Sequence, residues 1–169
     1  MPYRVPMVRV DLRDFDDGDL DAVFEMMRDP EAVAMAAFTA DDPDDREAFD
    51  AWIARQRAAS DVELLTITDR GGFAGTAALF SVDGDREVSF WVKRGLWGHG
   101  VATAALRLLV SREAERPLFG RVAAHNTAGV AVFERNGFTE LSRTTSYAPG
   151  LGRDAEVIVF TLPPALDGF

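Results

Sequence analysis

Residues 87–105 read Glu87-Val88-Ser89-Phe90-Trp91-Val92-Lys93-Arg94-Gly95-Leu96-Trp97-Gly98-His99-Gly100-Val101-Ala102-Thr103-Ala104-Ala105. A β-branched and aromatic run leads into a glycine-rich turn, and the turn opens straight into a helix. The first turn of a helix carries unpaired N–H groups and partial positive charge, which together attract anions. Glycine at positions 98 and 100 lets a ligand phosphate approach those amides without meeting a side chain. The stretch is built to hold a phosphate or pyrophosphate.

Spacing narrows the ligand. Gly95 and Gly100 are separated as in a P-loop, but Val101 and Ala102 follow where that loop needs Lys and then Ser or Thr. Nucleotide hydrolysis has neither its lysine nor its magnesium-binding hydroxyl here. Gly98 and Gly100 fit the first two places of a dinucleotide fingerprint, but Thr103 takes the third. The region near Gly120 and Arg121, about 20 residues on, offers no acid for a ribose hydroxyl. What remains is a pyrophosphate held by backbone amides, which suits coenzyme A.

Composition bounds the rest. At 169 residues the chain is long enough for one well-filled core and short for two, so residues 1–169 read as one domain. No apolar run approaches the ~18 residues of a membrane span. Met1-Pro2-Tyr3-Arg4 is not followed by an apolar signal segment, which makes a cytoplasmic location the expectation. The absence of cysteine excludes disulfides, thiolate metal sites and a cysteine nucleophile, and two histidines argue against a multi-histidine metal centre. A net charge of −10 argues against nucleic acid as a partner and is compatible with a cationic amine.

Along the chain, Val5–Val10 reads as a first strand. Leu20, Val23, Phe24 and Met27 follow the spacing of an amphipathic helix, which Pro30 ends. A second helix is expected after Asp42, with Pro43 in its first position and Phe49, Trp52 and Ile53 on its apolar face. Val62–Thr68, Phe73–Val82 and Arg86–Val92 read as three strands of an antiparallel meander. Asp69-Arg70-Gly71-Gly72 and Asp83-Gly84-Asp85 supply its turns. Val101, Ala105, Leu108 and Leu109 form the expected buried stripe of the next helix. Leu118–Ala124 follows as a strand parallel to its predecessor, because a helix connects the two. Asn126–Asn136 is a short helix with Gly137 placed for a left-handed cap, and Phe138–Tyr147 and Ala155–Leu162 close a terminal hairpin. The order β-α-α-β-β-β-α-β-α-β-β makes an α/β (α+β) domain. Its sheet is mixed, mainly antiparallel and six- to seven-stranded, flanked by about four helices.

Trp97-Gly98-His99-Gly100-Val101-Ala102 resembles the (Arg/Gln/Trp)-Gly-x-Gly-x-(Gly/Ala) pyrophosphate loop of the GNAT superfamily of acyl-CoA N-acyltransferases. A second segment, His125-Asn126-Thr127-Ala128-Gly129-Val130-Ala131-Val132-Phe133-Glu134-Arg135-Asn136-Gly137-Phe138, is similar to that family's Asn-x-x-(Ser/Ala)-x4-Glu-Lys-x-Gly-Phe element. The two stand in the family's order, and the resemblance spans roughly residues 60–162. It is closest to the branch containing ribosomal-protein N-terminal alanine acetyltransferases. The family has the element order read above.

The resemblance implies a direct transfer of an acetyl group from acetyl-CoA to a primary amine, with both bound at once and no metal. It implies that Phe90 and Val92 offer backbone groups to the pantetheine arm where their strand splays from Leu118–Ala124, with the Val92 N–H meeting the thioester carbonyl. The amides of Gly98, His99, Gly100, Val101, Ala102 and Thr103 would hold the pyrophosphate, with Trp97 opening that loop. Asn126 would contact the pantetheine arm, a role compatible with capping its own helix. Gly129 stands where the family often has Ser or Ala. Phe133 occupies a cofactor-site position at which many relatives place a tyrosine acid, and phenylalanine has no proton to give. Tyr147 is a substitute acid or an ordinary strand tyrosine.

Glu87 is the base candidate, as a carboxylate facing the acceptor or as a solvated strand end. His125, at a strand end, faces the acceptor or only the surface. Trp91 points opposite Phe90 and Val92, into the core or the acceptor pocket. Phe38 and the Asp41–Asp45 cluster fall in the family's acceptor region. Two other readings stay open: a non-catalytic acyl-CoA-binding module, and an interaction domain on a degenerate fold of this family. A homodimer through an exposed strand edge or the terminal hairpin is compatible with the pattern.

Overall fold

A computed structural model describes residues 8–165. Two tight turns organise its centre. Arg70 and Gly71 have φ of 53° and 80°, and Asp83 and Gly84 have 50° and 86°. Two consecutive left-handed residues reverse the chain with the twist that antiparallel strands require. They join β2 (Glu63–Asp69), β3 (Gly72–Val82) and β4 (Asp85–Val92) into the expected meander. With β1 (Val10–Asp14), β5 (Leu118–Ala123), β6 (Thr139–Ala148) and β7 (Arg153–Leu162), they form a seven-stranded sheet of order β1-β2-β3-β4-β5-β7-β6. Every pair is antiparallel except β4 with β5.

Among the described residues five α-helices flank the sheet: α1 (Leu20–Arg28), α2 (Pro30–Ala36), α3 (Arg46–Ala58), α4 (Val101–Arg112) and α5 (Thr127–Arg135). Helices α4 and α5 cover one face, where Leu65, Leu79, Val88, Leu106, Leu118 and Phe133 meet in the main core. Helices α1 and α3 cover the other, around Phe15, Val23, Met26 and Ile53. Asp19 ties that second layer to the sheet. Its carboxylate takes two bonds from Arg13 (2.7 and 2.8 Å), one from the Asp16 N–H (3.0 Å) and one from the Thr66 hydroxyl (2.8 Å). Helix α5 ends in the expected cap: Gly137 has φ of 83°, its N–H reaches Glu134 O, and the Phe138 N–H reaches Phe133 O.

Four expectations shift. The first strand is Val10–Asp14 rather than Val5–Val10, and residues 5–7 lie outside the described residues. Pro30 does end α1, but it also starts α2, because the Asp29 side chain caps the Glu31 and Ala32 amides and proline suits the first helical position. Pro43 precedes α3 instead of opening it, since the capping side chain is Asp45, which accepts from the Ala48 N–H. Leu108 is exposed. Val101, Ala105 and Leu109 are buried as expected, and Leu106 takes the place of Leu108 in the stripe.

Candidate active site

The sheet opens where β4 and β5 part. Lys93 N–H donates to Ala74 O across the β3–β4 ladder (2.9 Å). By alternation the odd-numbered residues of β4 turn their backbone groups to β3, and Val88, Phe90 and Val92 turn theirs to β5. Pairing with β5 stops at Val88–Gly120. Phe90 and Val92 therefore present backbone to a gap, and exposed ladder groups favour a ligand that pairs like an added strand. Gly75 stands opposite Val92, on the β3 side of β4. A Cβ there would lie 1.9 Å from Trp91 O, so only glycine allows the end of β4 to pack this closely on β3, and we assign Gly75 as the residue that holds the gap open.

The glycine loop stands at the end of this gap. Trp97 Nε1 donates to Val92 O (2.8 Å), which fastens the loop to the strand. Gly98 and Gly100 have φ of 79° and 80°, and a Cβ on either would meet open space. Gly100 caps α4 without a side-chain bond. The first turn of α4 thus presents the Val101, Ala102 and Thr103 amides outward. A cavity of about 440 Å³ follows, lined by Phe90, Val92, Trp97, Gly98, Gly100, Val101, Ala102, Thr103, Asn126 and Gly129. These residues come from both expected motifs and from β4, and the fold brings them to one wall. Phosphate needs backbone donors and positive potential, and this wall supplies both.

Asn126 caps α5 by accepting from the Gly129 N–H (3.0 Å). Its Nδ2 has no protein acceptor among the described residues and stands on the cavity wall. Gly129 is explained by that cap. A Cβ there would lie 2.8 Å from Asn126 Nδ2 and 2.8 Å from Val122 Cγ2, so the serine or alanine of relatives would collide.

Two expected cofactor residues keep their side chains out of the cavity. The His99 side chain is exposed and does not line the cavity. Phe133 is 2% exposed and packed in the core against Phe90, Phe138 and Phe160, at centroid distances of 5.1–5.4 Å. Its ring edge fills the space that Gly120 leaves, where a Cβ would lie 2.4 Å from Phe133 Cζ.

Sequence reasoning missed the roof of this cavity and its cation. Ala32, Met35 and Ala36 of α2 line it, as does Arg135. Helix α2 was legible in Asp29-Pro30, a capping residue before a first-turn proline. Arg135 lay within a quoted motif without a role. The roof is pinned at both ends. Arg94 pairs with Asp29 (2.9 Å) and Glu31 (3.2 Å), and His125 Nε2 donates to Ala34 O (2.9 Å). The Asp29 carboxyl is held below the usual range by the Ala32 amide and by Arg94.

A second cavity, of about 680 Å³, lies on the α1–α3 side, and the two share Phe90 and Trp91. Trp91 belongs to both expected environments: it packs on the Phe15–Ile53 cluster and lines the cavity. Phe38, Asp42 and Asp45 line it too. The chain passes between the cavities through Ala37, a buried residue at φ 64° and ψ −50° whose carbonyl neighbour Ala36 O accepts from the Phe38 N–H (2.7 Å). This strained γ-turn links α2, over the first cavity, to the wall of the second.

Glu87 is not a solvated strand end. It is 5% exposed, stands in register between Phe80 and Phe119, and accepts from Arg121 Nε (3.2 Å). It shares the face of β4 that carries Ser89 and Trp91 but lines neither cavity itself. Tyr147 is exposed on the edge strand β6. Among the described residues no group of three His, Cys, Asp or Glu gathers to hold a metal, and no helix is long and apolar enough to cross a membrane.

A family model described as an acetyltransferase (GNAT) domain matches residues 9–139, taking in the α1–α3 layer as well as both motifs. No curated protein sequence matches significantly. The fold is similar to that of spermidine N-acetyltransferase from Vibrio cholerae, solved in complex with CoA and spermine (15% identity, 91% of this chain and 95% of that chain, TM-score 0.79). It is also similar to ribosomal-protein-alanine N-acetyltransferase from Brucella melitensis (21% identity, 91% and 99%, TM-score 0.75). A third similar structure is yncA from Salmonella typhimurium with its cofactor acetyl-CoA (22% identity, 91% and 93%, TM-score 0.73).

Proposed function

Because this chain belongs to the GNAT acetyltransferase family, we propose that it moves the acetyl group of acetyl-CoA to a primary amine by direct transfer within a ternary complex. The observation that carries the reading is the junction of two cavities at Phe90 and Trp91, beside unpaired strand backbone and a glycine-built helix N-terminus. Two substrates entering from opposite faces meet there without a covalent enzyme intermediate, and the chain has no cysteine to form a thioester.

Bound acetyl-CoA supplies an acyl thioester, which is activated toward amines. The rest falls to the chain. The Gly98–Thr103 amides and the Arg135 guanidinium hold the phosphates. Asn126 Nδ2 and the backbone of Phe90 hold the pantetheine arm, and the Val92 N–H donates to the thioester carbonyl where negative charge develops. Fixing both partners contributes about 7–11 kcal/mol toward the barrier. The incoming ammonium must lose a proton, and the apolar second cavity favours its neutral form. Glu87, buried on the same strand face as Ser89 and Trp91, takes that proton through water. With Phe133 in the core, no side-chain acid is assigned to the departing thiolate, which would leave as the C–S bond breaks and take up from water the proton that the acylated nitrogen sheds.

The function lies with small-molecule amines or protein N-termini, and the ribosomal-protein alanine branch is one form of it. The experiment is amine-dependent release of the CoA thiol from acetyl-CoA, followed across an amine panel with the amide identified by mass. Amide formation with at least one amine is expected. Binding of acetyl-CoA with no amide from any amine would instead support the non-catalytic acyl-CoA-binding module.

A further inference from the structure

The second cavity has a chemical character of its own. Its walls are aromatic and aliphatic: Phe38, Phe49, Trp52 and Phe80 line it with Trp91, and Phe38 and Trp52 remain 37% and 36% exposed. Large aromatic side chains left open along one concavity mark a binding surface rather than unfinished core. Its size, about 680 Å³, matches one drug-sized organic molecule. Charge is confined to a few lining positions. Asp42 and Asp45 each spend one oxygen on a backbone amide, of Asp44 (3.0 Å) and Ala48 (3.0 Å) respectively, and Arg55 is the one cation among the lining residues. The inner wall on β3 and β4 offers no carboxylate: Thr76, Ala77, Ala78, Phe80, Ser89, Phe90 and Trp91 make it.

We infer that the acceptor is a primary amine carried on an aromatic or bulky apolar body, and not a polyamine. This rests on the acyl-transfer reading of the site. The amine nitrogen lies at the end shared with the acetyl-CoA cavity, beside Phe90 and Trp91, and the apolar body fills the space between α3 and the β2–β4 face. A single ammonium is drawn in by the two aspartates and by the net charge of −10, then loses its proton against apolar walls. A polyamine would carry further ammonium groups along the inner β3–β4 wall, which has no carboxylate to pair with them, and unpaired charge is strongly disfavoured there.

The test uses the full chain with three probes: 4-phenylbutylamine, n-butylamine and spermidine. Acetylation of 4-phenylbutylamine is expected to exceed that of the other two in kcat/KM by at least about tenfold, the effect of burying one phenyl ring. Trp52→Ala lowers that preference about fivefold by removing one wall. The three tryptophans supply a readout independent of turnover, because Trp52 lines this cavity, Trp97 lines the other and Trp91 stands where the two meet. Their fluorescence, in a Trp97→Phe background, responds to 4-phenylbutylamine and not to spermidine at equal concentration. Equal or better use of spermidine or of a peptide with N-terminal alanine overturns the inference and leaves acetyl transfer standing. Failure of acetyl-CoA to stabilise the protein overturns the acyl-transfer reading, and the fluorescence titration then still decides what the groove takes.

Discussion

Replacing Gly75 with alanine tests the physical cause of the gap between β4 and β5. The new Cβ would lie 1.9 Å from Trp91 O, 2.9 Å from Trp91 C and 3.0 Å from Val92 Cα. Ordinary contact begins near 3.4 Å, so the Trp91 carbonyl would have to retreat by roughly 1.5 Å. All three atoms are backbone, and no rotamer change relieves them. Overpacking of this kind costs about 1–3 kcal/mol, and loss of the adjacent Lys93–Ala74 ladder bond adds about 0.5–1.5 kcal/mol. At ~2–4 °C per kcal/mol for a chain of this size, Tm falls by about 3–18 °C.

The functional effect is larger, because the strand that moves carries Phe90 and Val92. A 1 Å misplacement of a positioning group lowers activity about hundredfold, and kcat/KM for acetyl transfer is expected to drop by that order in Gly75→Ala. Gly72→Ala, in the same strand, is the control: its Cβ would meet only Asp69 O, at 3.5 Å. Differential scanning fluorimetry and the thiol-release assay read both variants. A Gly75→Ala protein with wild-type Tm and wild-type kcat/KM would refute the assignment of Gly75 as the residue that holds the gap open.

Phe133→Tyr would place a hydroxyl on the ring edge that abuts Gly120, in the core; the expected result is a Tm lower by about 2–12 °C, from an unsatisfied hydroxyl of about 1–3 kcal/mol, with no gain in kcat. A rise in kcat at unchanged Tm would return this position to the catalytic site. Glu87→Gln keeps the shape of the buried side chain and removes its charge, so turnover should fall at least about tenfold with acetyl-CoA affinity unchanged; identical turnover across the pH range removes Glu87 from the mechanism. Burial alone would push the Asp19 carboxyl up, but bonds from Arg13, the Asp16 amide and Thr66 outweigh it and hold the group below the usual range. Such a carboxyl stabilises the fold fully above its unfolded pKa of ~3.9, and the contribution is lost as pH falls through the lower folded value. Asp19→Asn should therefore lower Tm near neutrality by about 2–12 °C, for a loss of about 1–3 kcal/mol, and flatten its decline below pH ~4. An Asp19→Asn acid limb as steep as the wild type's would contradict that origin.

What the sequence revealed of this fold came from local chemistry. Gly71 and Gly84 mark their turns by the positive φ that glycine adopts without steric cost, and Gly137 marks the end of α5 in the same way. The glycine loop and Asn126 were legible because backbone phosphate binding and helix capping both use short, local patterns. What escaped was set by contacts between distant segments. Gly75 reads as an unremarkable strand residue until Trp91 is laid across it. The burial of Phe133 depends on Gly120, and the burial of Glu87 depends on Phe80, Phe119 and Arg121, each from another strand. Helix α2 was hidden by treating Pro30 only as a terminator, although the same proline begins the roof of the cavity.

The central claim is that the gap and the 97–103 loop hold acetyl-CoA, and melting temperature with and without that ligand tests it most directly, for wild type and Gly100→Asp together. Ligand at about 100 times its Kd adds ~2.7 kcal/mol, which is roughly 5–10 °C here. Gly100 has φ of 80° and open space around its missing Cβ, so aspartate there adds backbone strain of about 1–2 kcal/mol and leaves a folded protein. Its carboxylate then stands where the pyrophosphate would bind. The account predicts stabilisation of the wild type by acetyl-CoA but not by NAD or ATP, and none of the variant. A folded wild type that acetyl-CoA leaves unchanged, or a variant stabilised as much as the wild type, would contradict it.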